Sequence, residues 1–311
     1  MTYKPFKDAI KERNKITKRE LRNIRKIYNE WAREIRAEAN RLRKLGTSST
    51  LQEERALAKL YYELRNASKQ ITAEIDRSVR NGASDIGDVL VRTNKRWLES
   101  LGLSTNSFEY KFSNEKRRAI NKVLTGSIYK NFQGLNPRIW KITQGHEKDI
   151  YNIIARGMLE DKSIYEIAKD IEKYVNPKVR FPWSKIYKDP TTGKIYSFPV
   201  GSHKIDYNAQ RLVRTTLQHV YQEVLVEMTK DNPFVKGYLW IAAGSHPCQL
   251  CLDRDGTIYT AANLPLDHPN GMCDIEPVID KEKAMEDIKG FYENPVYYPK
   301  IQRFTDKIEF F

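Results

Sequence analysis

The strongest constraint on this chain is an apolar stripe through its first hundred residues. Leu21, Ile24, Tyr28, Trp31, Ile35, Leu42 and Leu45 succeed one another at spacings of 3, 4, 3, 4, 7 and 3 on a charged background. Such spacing lines one face of an α-helix. Gly46 stops the helix, and the run Thr-Ser-Ser-Thr at 47–50 supplies caps, with Thr50 and Glu53 placed as a capping box. A second helix then carries Leu57, Leu60, Leu64, Ala67, Ile71 and Ile75. Two long amphipathic helices with so short a connection make an antiparallel hairpin, and the stripe is its seam. Asn81-Gly82 is expected to end the second helix, with a third running from about 85 to 101 and a polar stretch at 101–107 closing the arm.

The charge is uneven. The 311 residues carry a net +14, made of +9 over 1–44, +10 over 45–240 and −5 over 241–311. A basic leading arm on an acidic end suits a polyanionic partner. Non-specific contact with double-stranded DNA would fall to Lys11, Arg13, Lys15, Lys18, Arg19, Arg22, Arg25, Lys26, Arg41, Arg43 and Lys44. A plain solvated helix surface accounts for the same charges, because Lys and Arg are good helix formers. With 40% hydrophobic and 30% charged residues, low-complexity disorder is excluded. No apolar run approaches the roughly 20 residues of a bilayer span. The first residues hold no apolar core of a secretory signal, so no signal peptide is expected.

Beyond the arm, a helix is expected at about 113–132 with Ile120, Val123, Leu124, Ile128 and Phe132 inward. Two short helices follow at 147–158 and 163–175, split by Glu160-Asp161-Lys162, the second opening on a capping box of Ser163 and Glu166. The turn signal Asp189-Pro190-Thr191-Thr192-Gly193 between 183–187 and 194–198 reads as an exposed β-hairpin. A long helix at about 206–231 and an apolar strand at 235–243 come next. The expected fold is therefore α+β and mainly helical: a long N-terminal helical hairpin, a helical middle and a small β-containing C-terminal module. The divisions expected are a basic arm at 1–105, a domain at 106–280 and a tail at 281–311. Phe291, Tyr292, Tyr297, Tyr298, Phe310 and Phe311 suit that tail either to docking or to packing back on the core.

All three cysteines lie between 248 and 273. Too few for a disulfide scaffold, they form with one histidine the pattern C-x2-C-x16-H-x4-C: Cys248, Cys251, His268 and Cys273. Zinc favours four tetrahedral thiolate and imidazole ligands, and a two-residue gap lets two thiolates meet one ion. Asp255-Gly256 is a turn signal that brings the second pair back onto the first. Four such ligands make a closed, structural Zn2+ site within 246–273. Three buried thiols and an unrelated histidine are the plainer alternative. Pro247-Cys248-x-x-Cys251 also matches half of the zinc deaminase signature, but the required His-x-Glu is missing: His219 and Glu223 are four apart, and Glu147 directly follows His146.

The same residues carry a resemblance. Cys248 and Cys251, then Gly256 and Tyr259, then His268-Pro269 and Cys273 look like the phage head-morphogenesis domain, the family of minor head proteins typified by protein F of phage Mu. The lead-in is similar too, with 211–216 inside a helix, a strand ending in Trp240-Ile-Ala-Ala, and a short capped helix upstream. The resemblance covers roughly 150–280. The family commonly has His-Pro-x-Cys-x-Cys, whereas Gly271 stands here at the first of those cysteines and Cys273 at the second. It implies a low-copy virion protein at the portal vertex, acting in head assembly and in DNA packaging or ejection. The partners implied are the portal protein and possible contacts to scaffold or major capsid protein.

Some relatives carry toxin or nuclease domains after this module, but only about 30 residues follow position 280 here, too few for one. The expectation is therefore a structural protein without catalytic residues. The alternative is a zinc-containing nuclease-like enzyme, for which Asp253, Asp255 and Asp267 are the candidates, although turn chemistry explains them more simply. A cellular DNA-binding regulator would need a helix-turn-helix pattern, which the sequence does not present clearly.

Overall fold

The computed structural model describes residues 4–44, 50–105, 108–179, 181–188, 195–243 and 247–306, with side chains undescribed at 44, 50–54, 181–188, 195–203 and 306. In chain order the elements are α1 (Lys4–Lys44), α2 (Thr50–Ser100), α3 (Phe108–Thr125), α4 (Leu135–Leu159), α5 (Ile164–Val175), β1 (Phe181–Lys188), β2 (Ile195–His203), α6 (Tyr207–Thr229), β3 (Val235–Ile241), α7 (Gln249–Arg254), β4 (Ile258–Tyr259), β5 (Asp274–Ile279), α8 (Lys281–Glu293) and α9 (Pro299–Asp306). The chain is mainly helical with a small antiparallel sheet near its C-terminus, as its periodicities imply. No helix among the described residues is long and apolar enough to cross a membrane.

Two compact units divide the chain. One comprises Met1–Arg19, Val79–Leu135 and Val213–Phe311, the other Glu20–Ser78 and Asn136–Leu212. Each gathers segments distant in sequence, so the expected divisions at 105 and 280 do not fall at their borders.

In the second unit the stripe is buried as expected. Ile24, Tyr28, Trp31, Ile35 and Leu42 of α1 and Leu60, Leu64, Ala67, Ile71 and Ile75 of α2 lie in the core, while Leu21 is only half-buried and Leu45 lies outside the described residues. Helix α4 starts at Leu135, well before 147, because Ile139, Thr143, His146, Ile150 and Ile153 continue a buried stripe toward its N-terminus. Pro137 is tolerated there because the first turn needs no N–H partner. The capping box of α5 forms: the Glu166 N–H donates to Ser163 Oγ at 3.3 Å, and the Ser163 N–H donates to Glu166 Oε2 at 2.9 Å. Strands β1 and β2 make the expected hairpin; its turn at 189–194 and its side-chain exposure lie outside the described residues.

In the first unit the expected break at Asn81-Gly82 does not occur. Helix α2 runs through it to Ser100, because Val79, Ala83, Ile86, Val89 and Leu90 keep the stripe in register and are all buried. A glycine within a helix costs about 1 kcal/mol, less than burying one of these aliphatic side chains returns. Helix α3 is shorter than expected and ends at Thr125, where Gly126 turns left-handed at φ 87°. Phe132, expected inward, is 75% exposed as a consequence of that early ending. The tail packs back: Ile288, Ile301 and Phe304 are buried, and the Phe304 ring lies 5.3 Å from Phe108. Tyr292 and Tyr297 remain exposed, and Phe310 and Phe311 lie outside the described residues.

The second unit also buries His146 in an aromatic setting, its ring 5.6 Å from Tyr28 and edge-on, and 6.2 Å from Trp31. Burial outweighs a hydrogen bond with the Ile205 backbone and pushes the imidazole pKa down to about 4. The native state therefore refuses a proton that the unfolded chain accepts, so stability is lost as pH falls from about 6.5 to about 4. Asp149, pushed up to about 6 by burial, acts in the opposite sense. The quantity to read is thus the difference between wild type and His146→Phe. Denaturant midpoints at pH 7 and pH 4.5 should show the variant gaining on wild type by on the order of 2 kcal/mol at the lower pH.

Candidate metal centre

The three-stranded sheet, in the order β4-β3-β5, decides where the cluster forms. Strand β3 is central and antiparallel to both neighbours. Its last residue, Ile241, pairs with Asp274, the first of β5. The chain leaving β3 toward Cys248 and the chain entering β5 from Cys273 therefore meet at the same end of the sheet. Gly256, at φ 74°, makes the return from α7 to β4, where its N–H donates to the Trp240 carbonyl at 2.9 Å. Asp255 caps the exit of β3 by accepting the Ala242 N–H at 2.7 Å.

Cys248 stands at the N-cap of α7, and its carbonyl accepts the N–H groups of Cys251 and Leu252, both at 3.0 Å. This turn aims both thiols one way, with Sγ atoms 3.5 Å apart. His268 Nε2 lies 3.1 Å from Cys251 Sγ and 3.4 Å from Cys248 Sγ. Its Nδ1 is 3.1 Å from the Pro269 carbonyl, an acceptor only, so Nδ1 carries the proton and Nε2 faces the sulfurs with a free lone pair. A tetrahedral zinc centre holds its ligand atoms about 3.5–3.8 Å apart. Cys248, Cys251 and His268 thus form a group able to hold a metal ion.

The fourth expected ligand is placed differently. Cys273 is buried and joins Cys251 and Asp267 in a second, overlapping group in which every ligand atom lies within 4.8 Å of the others. It touches the centre through Cys251. Burial, with Cys273 and Cys248 close by, pushes the Cys251 thiol far up, while the Cys251 N–H, its thiol and His268 pull Cys248 down. Thiols crowded in this way gain most from a cation, since a bound metal replaces their protons and removes the repulsion between thiolates.

One face of α6 holds the segment 267–273, which sequence reasoning missed. Arg214 donates to Asn270 Oδ1, and the Asn270 N–H donates to Thr215 Oγ1 at 2.8 Å. Gln218 Nε2 donates to the Cys273 carbonyl, and His219 Nε2 donates to the Asp267 carbonyl at 2.8 Å. The Asp267 N–H donates to Gln222 Oε1 at 3.1 Å. Residues 214, 215, 218, 219 and 222 share one face at helical spacing. A signal existed in Gln218, His219 and Gln222, polar side chains interleaved with the buried apolar Leu217, Val220, Tyr221 and Val224 of the same helix. A buried polar side chain must find a partner.

The basic residues of α1 do not act as one set. Arg13 is no surface residue. It is 2% exposed, donates to Asp274 Oδ1 at 2.7 Å and lies over the Tyr221 ring at 4.9 Å, so it is an internal anchor rather than a phosphate contact. Lys11 pairs with Asp8, Arg19 with Asp85, Arg25 with Asp206, Lys26 with Glu30 and Arg41 with Glu38, while Arg43 lies over Tyr165. Lys15, Lys18 and Arg22 are exposed and show no ion pair among the described residues; the Lys44 side chain is not described. Asp253 accepts from Gln249 within α7 and Asp255 from the Ala242 N–H at the exit of β3, and neither joins a potential ligand group among the described residues.

Comparison with models of known families, with curated proteins and with solved structures finds no match to this chain.

Loss of one donor from the convergent trio should abolish metal uptake. Cys251→Ser and His268→Ala are each expected to emerge from purification with far below one metal per chain. Elemental analysis beside the wild type checks this.

Proposed function

We propose that this chain is a portal-associated minor head protein of a phage, built around a structural zinc centre, with a role in head assembly and in DNA packaging or ejection. The observation that carries this reading is the convergence of Cys248, Cys251 and His268 at the end of a small sheet, with Cys273 against Cys251. That is the residue pattern by which the sequence resembles the head-morphogenesis domain. In this reading Cys273 completes the tetrahedron after a small movement of its side chain, and the filled centre leaves no position for a metal-activated water. The metal would then supply folding free energy to a module whose short sheet gives little of its own. Of the candidates for a nuclease, Asp253 is engaged by Gln249 within α7, Asp255 by the Ala242 N–H, and Asp267 by the N–H groups of His268 and Cys273. The partners are the portal protein, with scaffold or major capsid protein as further contacts, and the site of action is the virion vertex.

Two experiments test the reading. Co-expressed with the portal protein of its own phage, the chain should co-purify with portal oligomers, and particles lacking it should assemble yet deliver DNA poorly. Absence of the chain from purified particles would sink the proposal.

Contact with DNA would rest on Lys15, Lys18 and Arg22, exposed on successive turns of α1. Because Phe6, Ala9 and Arg13 are buried, charge reversal is a cleaner probe than truncation. Changing all three to Glu should weaken duplex DNA binding and lower the slope of log affinity against log salt by about 3. Unchanged binding in a salt titration would leave α1 with a solvated surface only.

A further inference from the structure

We propose that Asp267 is a positioning residue of the metal centre, holding two of its ligands at a set separation, and not itself a ligand. This rests on the metal reading above. Asp267 is 3% exposed and lies close enough to Cys251 and Cys273 to compete for the fourth position. Both of its carboxylate oxygens are already engaged. Oδ1 accepts the N–H of His268 at 2.8 Å and Oδ2 accepts the N–H of Cys273 at 3.0 Å. One side chain thus bridges the backbones of two proposed ligands and sets the bite of the loop between them.

Its own backbone is held just as firmly. The Asp267 carbonyl can only accept, so His219 donates from Nε2 and must receive at Nδ1, where Tyr129 Oη lies 2.9 Å away and donates. The Asp267 N–H is taken by Gln222. Rotating the carboxylate onto a metal would leave the buried Cys273 N–H and the part-buried His268 N–H without acceptors, which costs free energy. Gly271 closes the last side. A Cβ there would lie 2.2 Å from Asp267 Oδ1, so any side chain at 271 would drive the carboxylate out of its place. The absence of a side chain at 271 thus leaves the carboxylate its place between the two N–H groups.

The test uses the full chain loaded with Co2+ for spectroscopy and with Zn2+ for competition against a chelator. Asp267→Asn can accept only one of the two N–H groups, and Gly271→Ala displaces the carboxylate without altering charge. Both are expected to keep the wild-type thiolate-to-cobalt and d–d bands while binding Zn2+ about 10- to 100-fold more weakly. Asp253→Asn, on the same module but away from the loop, should match the wild type. A shifted Co2+ spectrum in Asp267→Asn would overturn the assignment by making Asp267 a ligand. Unchanged Zn2+ affinity with only a lower melting temperature would overturn it by making the role purely structural.

Should neither variant fold, X-ray absorption of the wild-type zinc protein decides. Three sulfurs and one light atom support the assignment, whereas two of each overturn it. A wild-type chain that takes up neither metal would overturn the metal reading itself, and this assignment with it.

Discussion

The clamp between α6 and the segment 267–273 is the interaction on which the C-terminal module depends. A three-stranded sheet whose edge strand β4 has two residues cannot hold two loops in register unaided. Helix α6 supplies the missing rigidity through polar side chains that are almost wholly buried: Gln218 at 4%, His219 at 4% and Gln222 at 2%. Each meets a backbone group of the loop. Buried in a medium of low dielectric, such bonds are stronger than in water, and the same medium makes breaking any one of them costly. The loop is thereby held in a conformation that carries a left-handed residue, Asn270 at φ 70°, whose side chain and N–H are both taken by α6.

Arg13 ties α1 to the same module. It donates to Asp274, the residue after Cys273, and stacks over Tyr221 of α6. A buried guanidinium is tolerable only when paired, and the Asp274 carboxylate, the Asn14 side-chain oxygen and the Tyr221 face offset most of its burial cost. One consequence concerns charge: the most internal cation of the basic arm belongs to the architecture of the proposed metal centre. A second concerns assembly of the unit, since its core joins the first turns of α1 to residues more than 250 positions away. Such non-local contacts form only once their loop-closure entropy is offset, so the module's order and the docking of α1 are expected to be cooperative.

The helical parts follow a simpler physics. Apolar residues at three- and four-residue intervals fix which face of each helix is buried, and a lone glycine is too weak a signal to interrupt them. That is why α2 passes through Asn81-Gly82, with Gly82 and Ala83 both buried. At Gly126 the outcome reverses. The next turn would continue the helix, but the chain turns left-handed and closes tightly on Gly134, where a Cβ on Gly126 would meet backbone atoms at 2.4 Å. A glycine ends a helix where the following chain has a backbone conformation to adopt that only glycine permits.

The sequence by itself determined the helical character of the chain, the seam residues of α1 and α2, the capping box of α5, the hairpin of β1 and β2, and the donors Cys248, Cys251 and His268. These are legible because each depends on spacing along one element or on the chemistry of a few nearby residues. The tertiary structure alone decided that Arg13 is internal, that Phe132 faces outward, that Cys273 groups with Cys251 and Asp267, and that the Asp267 carboxylate spans the N–H groups of His268 and Cys273. It also decided that the compact units draw on segments far apart in the chain. The physical reason is common to all of these. Burial and hydrogen-bond partnership are properties of where two distant segments meet, and a local pattern of residue types carries no term for that distance.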